Sequence, residues 1–555
     1  MFWPKFLIAL AALLLPGCNR PHTIGRVAQG NRDQVFHWGN GADPGDLDPQ
    51  TEEAETSSHI FNALFEGLVS QDPHDLHPIP GVAERWDVSP DARVYTFHLQ
   101  ADAKWSNGDP VTAHDFVESW HRLLTPALGS QYSQMLYKDA EIVNARDFYD
   151  GKLTDFAQVG IAAPDDRTLV VRLVNPADYF LSMLNHESLY PVHLPTILKY
   201  GRCDQKGTPW TQAGHFVGNG PFVLKSWHLR QEIVVERSPT YWDRVNVRLK
   251  EIHYYPTDDI PAEERDFRAG QLHVTYEIPL TKIDAYGRDD PAALQNSPYL
   301  GTYFLRLNTT RPPLNDRRVR RALAMAIDRE GIAKTVARGG QQPAYAFVPP
   351  DANGYTSRAR LPTDFDAARR LLADAGFPEG KGLPPVEILT NTSQNHQAVM
   401  EVIQQTWRDQ LHVNATIRTE ESKVWFDSMH TLNYDVCRAG WIGDYVDPFS
   451  FLGIFITGGG NNDCGFANPQ YDDLIAHSRT AATGPERREL LQQAEGILLD
   501  EAPVAPIFYY ARVYLKQTSV KGWFPNVLDR HMPKFIYLEE TAPNGSKNGA
   551  TAASR

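Results

Sequence analysis

The sequence predicts a mixed α/β fold, and three stretches carry that reading. VYTFHL (94–99) alternates apolar and polar residues, the period of a strand with one face buried. FVLKSW (222–227) and EIVVER (232–237) flank a short polar linker, as in a β-hairpin. HQAVMEVIQQTWRDQLHV (396–413) places Val399, Val402, Ile403, Thr406, Trp407 and Leu411 at helical spacing. The strand-like ATIRTEE follows at once, so helix passes directly into strand as in a crossover unit.

Two more helices fit the same scheme. In NDRRVRRALAMAIDREGI (315–332), Asn315 or Asp316 can cap the start, and Val319, Ala322, Leu323, Ala326 and Ile327 make one apolar face. FDAARRLLADAGF (365–377) should stop at Gly376. No fixed-period repeat is visible, and loops rich in Pro and Gly are spread along the chain.

A chain of 555 residues has room for two to four domains, and 42% hydrophobic with 11% aromatic residues fills large cores. The 54 basic and 68 acidic side chains give a net charge of −14 without a long basic run, which argues against nucleic acid as a partner. The N-terminus MFWPKFLIALAALLLPGC carries Lys5, then an apolar run too short to span a bilayer comfortably. A small residue directly before Cys18 is similar to a bacterial lipobox. Residues 1–17 are then a signal peptide and Cys18 the lipid-modified first residue; the alternative is an ordinary signal peptide with an incidental cysteine. Of the other cysteines, Cys203, Cys437 and Cys464, an odd count leaves at least one thiol free or intermolecular. The tail at 542–555 is small, polar and expected to be disordered.

Enzyme constellations are missing. The chain has no H-E-x-x-H and no G-x-S-x-G. GFPEGKG (376–382) lacks the Ser or Thr of a phosphate loop and reads as a helix stop and turn, while GGGNNDCG (458–465) reads as a mobile loop. The 19 histidines show no ligand spacing, so neither metal nor cofactor is expected. One charged stretch remains, DVCRAGWIGDYVDPFSF (435–451), with Arg438 and Asp444 six residues apart around Trp441. The residues alone leave three readings open: a catalytic pair, an ion pair holding a loop, or two ends of a binding site. Asp444 could also cap the turn before Asp447-Pro448.

Four blocks, in order, resemble the extracytoplasmic solute-binding proteins of bacterial peptide ABC transporters, of the oligopeptide-binding type. They are AERW…YTFHL…AKWSNGDPVTAHDF within 64–120, GNGPFVLKSW…ERSPTYWD (218–243), PLNDRRVRRALAMAIDRE (313–330) and CRAGWIGDYVDPFSFL (437–452). The resemblance implies an α/β fold like the type II periplasmic binding proteins. Two hinged lobes would enclose ligand, with an extra domain, three in all. Domain I would comprise about 19–65, 192–300 and 510–541; domain II 66–191; domain III 301–509. The implied ligands are short peptides, passed to an inner-membrane permease by a lipid-anchored periplasmic monomer without enzyme activity. Asp444 would take the peptide ammonium. Glu53, Ala54 and Glu55 on one strand and Ala439, Gly440, Trp441 and Ile442 on another would hold its backbone, with Tyr132 in the pocket. Arg438, His396 and Arg311, where the family has Lys, would take the carboxylate at different depths. This chain departs from the family at Ser422 (a pocket Trp), Met429 (an Arg) and the Gly301–Ile442 pair (a disulfide in some members). One pocket should therefore be larger or wetter, and the ligand carboxylate should have one cation fewer. A muropeptide or dipeptide receptor is the alternative, although D-Y-V-D-P here differs from the D-N-G-D-P of dipeptide receptors. A hydrolase is more distant.

Overall fold

A computed structural model describes residues 25–481 and 484–540. The signal segment, Cys18 and the 542–555 tail lie outside the described residues.

Three larger sheets organise the chain. One has four strands in the order Val35–Gly39, Glu251–Tyr255, Glu232–Arg237, Phe222–His228. Its last two strands are the expected hairpin, joined in antiparallel register with Phe222 opposite Arg237. The second is Ala83–Val88, Val94–Leu99, Thr168–Arg172, Ile161–Asp165. Val94–Leu99 alternates half-buried and buried residues, as its sequence pattern requires. Helix Ala113–Leu124 packs beside this sheet, and its start is fixed by a capping box of Thr112 and Asp115.

The third sheet has six strands: Gln342–Pro343, Val504–Leu515, Leu294–Leu307, Val436–Ile442, Val386–Asn391 and Ala415–Glu420. Val386–Asn391 and Ala415–Glu420 run parallel across helix Gln394–Leu411, whose Val399, Ile403, Trp407 and Leu411 are buried. This is the crossover unit anticipated above. Leu294–Leu307 and Val504–Leu515 are the long members, 14 and 12 residues. Their pairing shifts register between Pro298 and Thr302. Beyond the shift, Thr275 N donates to Leu515 O at 2.9 Å and Val274 bridges both Trp38 and Lys516. The two long strands thus carry the backbone from the six-stranded sheet to the edge of the first one.

Two expectations need correction. The 315–332 helix runs only over Arg317–Met325, capped by Asp316, and then breaks. Arg329 is fully buried, and its guanidinium donates to Ala324 O (3.0 Å) and Pro506 O (2.7 Å); Asp328 caps a new turn at Gly331. Satisfying one buried cation with carbonyls outweighs an unbroken helical ladder. The loop 458–465 is also held rather than loose. Asn462 Nδ2 donates to Ile456 O (3.1 Å) and Phe466 O (2.7 Å), and Asp463 pairs with the buried Arg306.

Candidate ligand-binding cleft

A cavity of about 700 Å³ opens between the first and third sheets. Glu53, Ala54, Glu55, Tyr132, His396, Arg438, Ala439, Gly440, Trp441, Ile442 and Asp444 all line it. Arg311 does not. It lies 4.0 Å from Asp435, with 43% of its side chain exposed, so the expectation that it joins Arg438 is corrected.

The strand Val436–Ile442 sets the site. On one side it pairs over its whole length with Leu294–Leu307. On the other it pairs with Val386–Asn391 only at Val436 and Cys437. From Arg438 to Ile442 one strand edge therefore faces the cavity, a geometry to which an extended chain can add. Gly440 belongs to this segment for a reason the sequence did not reveal. A Cβ there would collide with the Tyr510 hydroxyl, a side chain rather than a ligand backbone. Gly301 lies directly opposite Ile442, so the disulfide position is filled by a residue without a side chain; Cys203, Cys437 and Cys464 are free.

At the strand's C-terminal end, Asp444 is not the turn cap. Asp447 caps the turn instead, since its Oδ1 accepts Phe449 N at 2.8 Å and Arg487 grips both oxygens. Asp444 N donates to Ser450 Oγ at 2.9 Å, but no hydrogen bond or ion pair reaches the Asp444 carboxylate among the described residues. Burial pushes its pKa up to about 7, Asp139 adds to the rise, and Arg530 opposes it. Burial, and then the charges of Asp444 and Glu53, push the Tyr132 phenol up.

Arg438 marks the other end. Its Nη1 donates to Asn391 Oδ1 (3.4 Å) and Nη2 to Tyr510 OH (3.2 Å), with the guanidinium 4.8 Å over the Tyr303 ring and 5.8 Å over that of Trp425. Nε is buried without a partner, and no described carboxylate pairs with this cation. His396 sits beside it, 3.3 Å from Tyr303 OH. Burial pushes the His396 pKa down to about 2, and Arg438 adds to the fall, so the ring is neutral near pH 7. Of the three cations expected here, only Arg438 lines the cavity in charged form; Arg306, also in the wall, is paired with Asp463.

The other expected strand is not one. Ala54 is the extended N-cap of helix Glu55–Leu64, and Glu52 Oε1 accepts Ala54 N at 3.1 Å, which turns the chain. Glu55 is the first helical residue; its Oε1 accepts Tyr299 OH at 2.6 Å. At the family's Arg position, Met429 is buried against Leu389, Trp425, Tyr434 and Cys437. Ser422 opens helix Ser422–His430. One turn later Trp425 and Phe426 line the cavity, restoring aromatic wall near the expected gap. Sequence reasoning missed both, along with Glu277, Arg512, Asp529 and Arg530. A helical i+3 search from Ser422 could have found Trp425; the other four reach the cavity by tertiary folding alone.

A deep cleft walled by two sheets, with opposite uncommitted charges at its ends, defines a ligand-binding protein rather than a scaffold. The chain belongs to the bacterial extracellular solute-binding proteins, family 5, whose middle-region model matches residues 77–463. It is 36% identical over 91% of its length, and 92% of the relative's, to the periplasmic oligopeptide-binding protein OppA of Salmonella typhimurium. Its fold is similar to that of the murein tripeptide-binding protein MppA of Escherichia coli (TM-score 0.84, 33% identity, 91% of this chain and 98% of that one). Haemophilus influenzae OppA in complex with the peptide RPPGFSPFR is similar to the same degree (TM-score 0.83, 32% identity, 91% and 99%).

Proposed function

We propose that this chain is the substrate-binding component of a peptide ABC transporter. It captures short oligopeptides by backbone and charged termini and delivers them to an inner-membrane permease. The observation that carries this reading is the free strand edge Arg438–Ile442, with a guanidinium at one end and, just beyond the other, a carboxylate, neither in an ion pair among the described residues. A zwitterionic peptide laid along that edge meets both charges. Arg438–Ile442 covers four strand steps, roughly 13 Å, with Asp444 two residues further on, and an extended tripeptide spans roughly 10 Å, which leaves the difference to the reach of two side chains.

Asp444 takes the ammonium, and Arg438, with neutral His396 as a hydrogen-bond partner, takes the carboxylate. Glu53, Ala54, Tyr132 and Trp441 wall the side chains, and bridging waters suit varied residues in such a space. The lobes close about the register shift at Pro298–Thr302, and ligand shifts the population towards the closed state. The protein acts as a periplasmic monomer anchored through lipid on Cys18; no helix among the described residues is long and apolar enough to cross a membrane.

Native mass spectrometry of the purified protein tests the reading directly: retained intact peptides support it, and cleaved ones favour a hydrolase. Asp444→Ala should abolish peptide-induced thermal stabilisation while circular dichroism stays unchanged. Stabilisation that survives the substitution removes Asp444 from the ammonium site. A muropeptide receptor is the second reading, favoured by Met429, which removes a cation expected of general oligopeptide receptors. Competition between a murein tripeptide and tri-alanine separates the two.

A further inference from the structure

The cavity wall holds more negative charge than terminal recognition uses. Eight carboxylates line it against four guanidinium groups. Several are committed within the protein: Asp463 to Arg306, Asp529 to Arg512 at 2.6 Å, and Glu55 to Tyr299 and, at 3.9 Å, to Arg512. Glu277 is different. It lines the cavity between Tyr276 and Ile278, and among the described residues no hydrogen bond or ion pair reaches its carboxylate. Its backbone N–H is tied to Glu263 Oε2 at 3.4 Å, which fixes where the side chain starts. Burial pushes its carboxyl above the ordinary range; Arg512 opposes the rise and Glu55 adds to it. Arg512 already faces Asp529 at 2.6 Å and Glu55 at 3.9 Å, so one guanidinium serves Asp529, Glu55 and Glu277, and one further cation would relieve the excess negative charge.

We propose that Glu277, backed by Glu55, is the counter-charge for a basic side chain of the bound peptide, making this cleft selective for peptides that contain Lys or Arg. The inference rests on the peptide-receptor reading and adds a substrate class to it. Which peptide position carries the basic residue is read by placing it at each position in turn.

Calorimetric titration with tri-alanine, and with tripeptides carrying lysine, norleucine or glutamate at each position, tests this. Norleucine keeps the lysine stem and removes its charge. Lysine at one of these positions should bind about tenfold tighter than norleucine there, the effect of one close charge pair. Glu277→Gln should bring that ratio to about one. Equal lysine and norleucine affinities, a preference for glutamate, or a ratio that survives Glu277→Gln overturns the inference and leaves the receptor reading standing. Failure of every tripeptide to bind overturns both. The wild-type ratio decides the matter alone if the variant does not fold.

Discussion

The two ends of the cleft hold charge in opposite ways. Arg438 is gripped by Asn391 and Tyr510 and covered by the Tyr303 and Trp425 rings. Asp444 has no such company; nothing described donates to its carboxylate, and burial lifts its pKa to about 7. The difference follows from the two chemistries. A guanidinium cannot shed its proton near neutral pH, so its charge must be stabilised before ligand arrives, and aromatic faces do this without neutralising it. A carboxylate can wait in protonated form and ionise when an ammonium appears. One end is a fixed electrode and the other a switchable one.

The fixed end should give the larger mutational effect. Arg438→Met should weaken tripeptide binding about 100-fold, roughly 3 kcal/mol, because the ligand carboxylate is left buried and unpaired. Amidating the peptide C-terminus should cost the wild type similarly and the variant little more. If the two losses add in full, measured by calorimetry, Arg438 is not the carboxylate partner.

The switchable end predicts a pH dependence with a definite sign. The Asp444 pKa is raised from 3.8 to about 7, so the unliganded fold holds an extra proton between those values. Its contribution to stability therefore falls as pH rises through this window. A bound ammonium reverses the preference and expels the proton. Affinity should drop by up to tenfold per pH unit below about 7, with a proton released on binding at pH 6. Titration in two buffers of different ionisation enthalpy measures that proton, and identical apparent enthalpies would show that the switch does not exist.

Much of this cleft was legible in the sequence because its main strand is continuous. Arg438, Ala439, Gly440, Trp441 and Ile442 are neighbours in sequence, and their order survives in space. The expected contributions of Glu53, Ala54 and Glu55 were placed correctly in the wall but in the wrong backbone, since a side chain, Glu52, turns the chain into a helix there. Arg311 failed for a similar reason: Asp435, distant in sequence, lies 4.0 Å from it outside the cavity. Glu277, Arg512 and Arg530 come from loops and a strand far apart in sequence, and no local period announces them. The protonation of Asp444 was equally hidden, because it depends on burial that only packing creates.

The smallest effect probes how tightly the fixed end is built. Gly440 leaves room for the Tyr510 hydroxyl, which accepts from Arg438 at 3.2 Å. In Gly440→Ala the new methyl must displace that hydroxyl, and Arg438 loses one of the hydrogen bonds that hold it. A cost of about 1 kcal/mol in binding, near fivefold, is expected. Tyr510→Phe removes the same hydroxyl without crowding, so it should weaken binding to a similar extent, and the double variant should be little worse than either alone. Strict additivity in that cycle would mean that Gly440 serves the ligand backbone directly, and that the fixed end owes nothing to Tyr510.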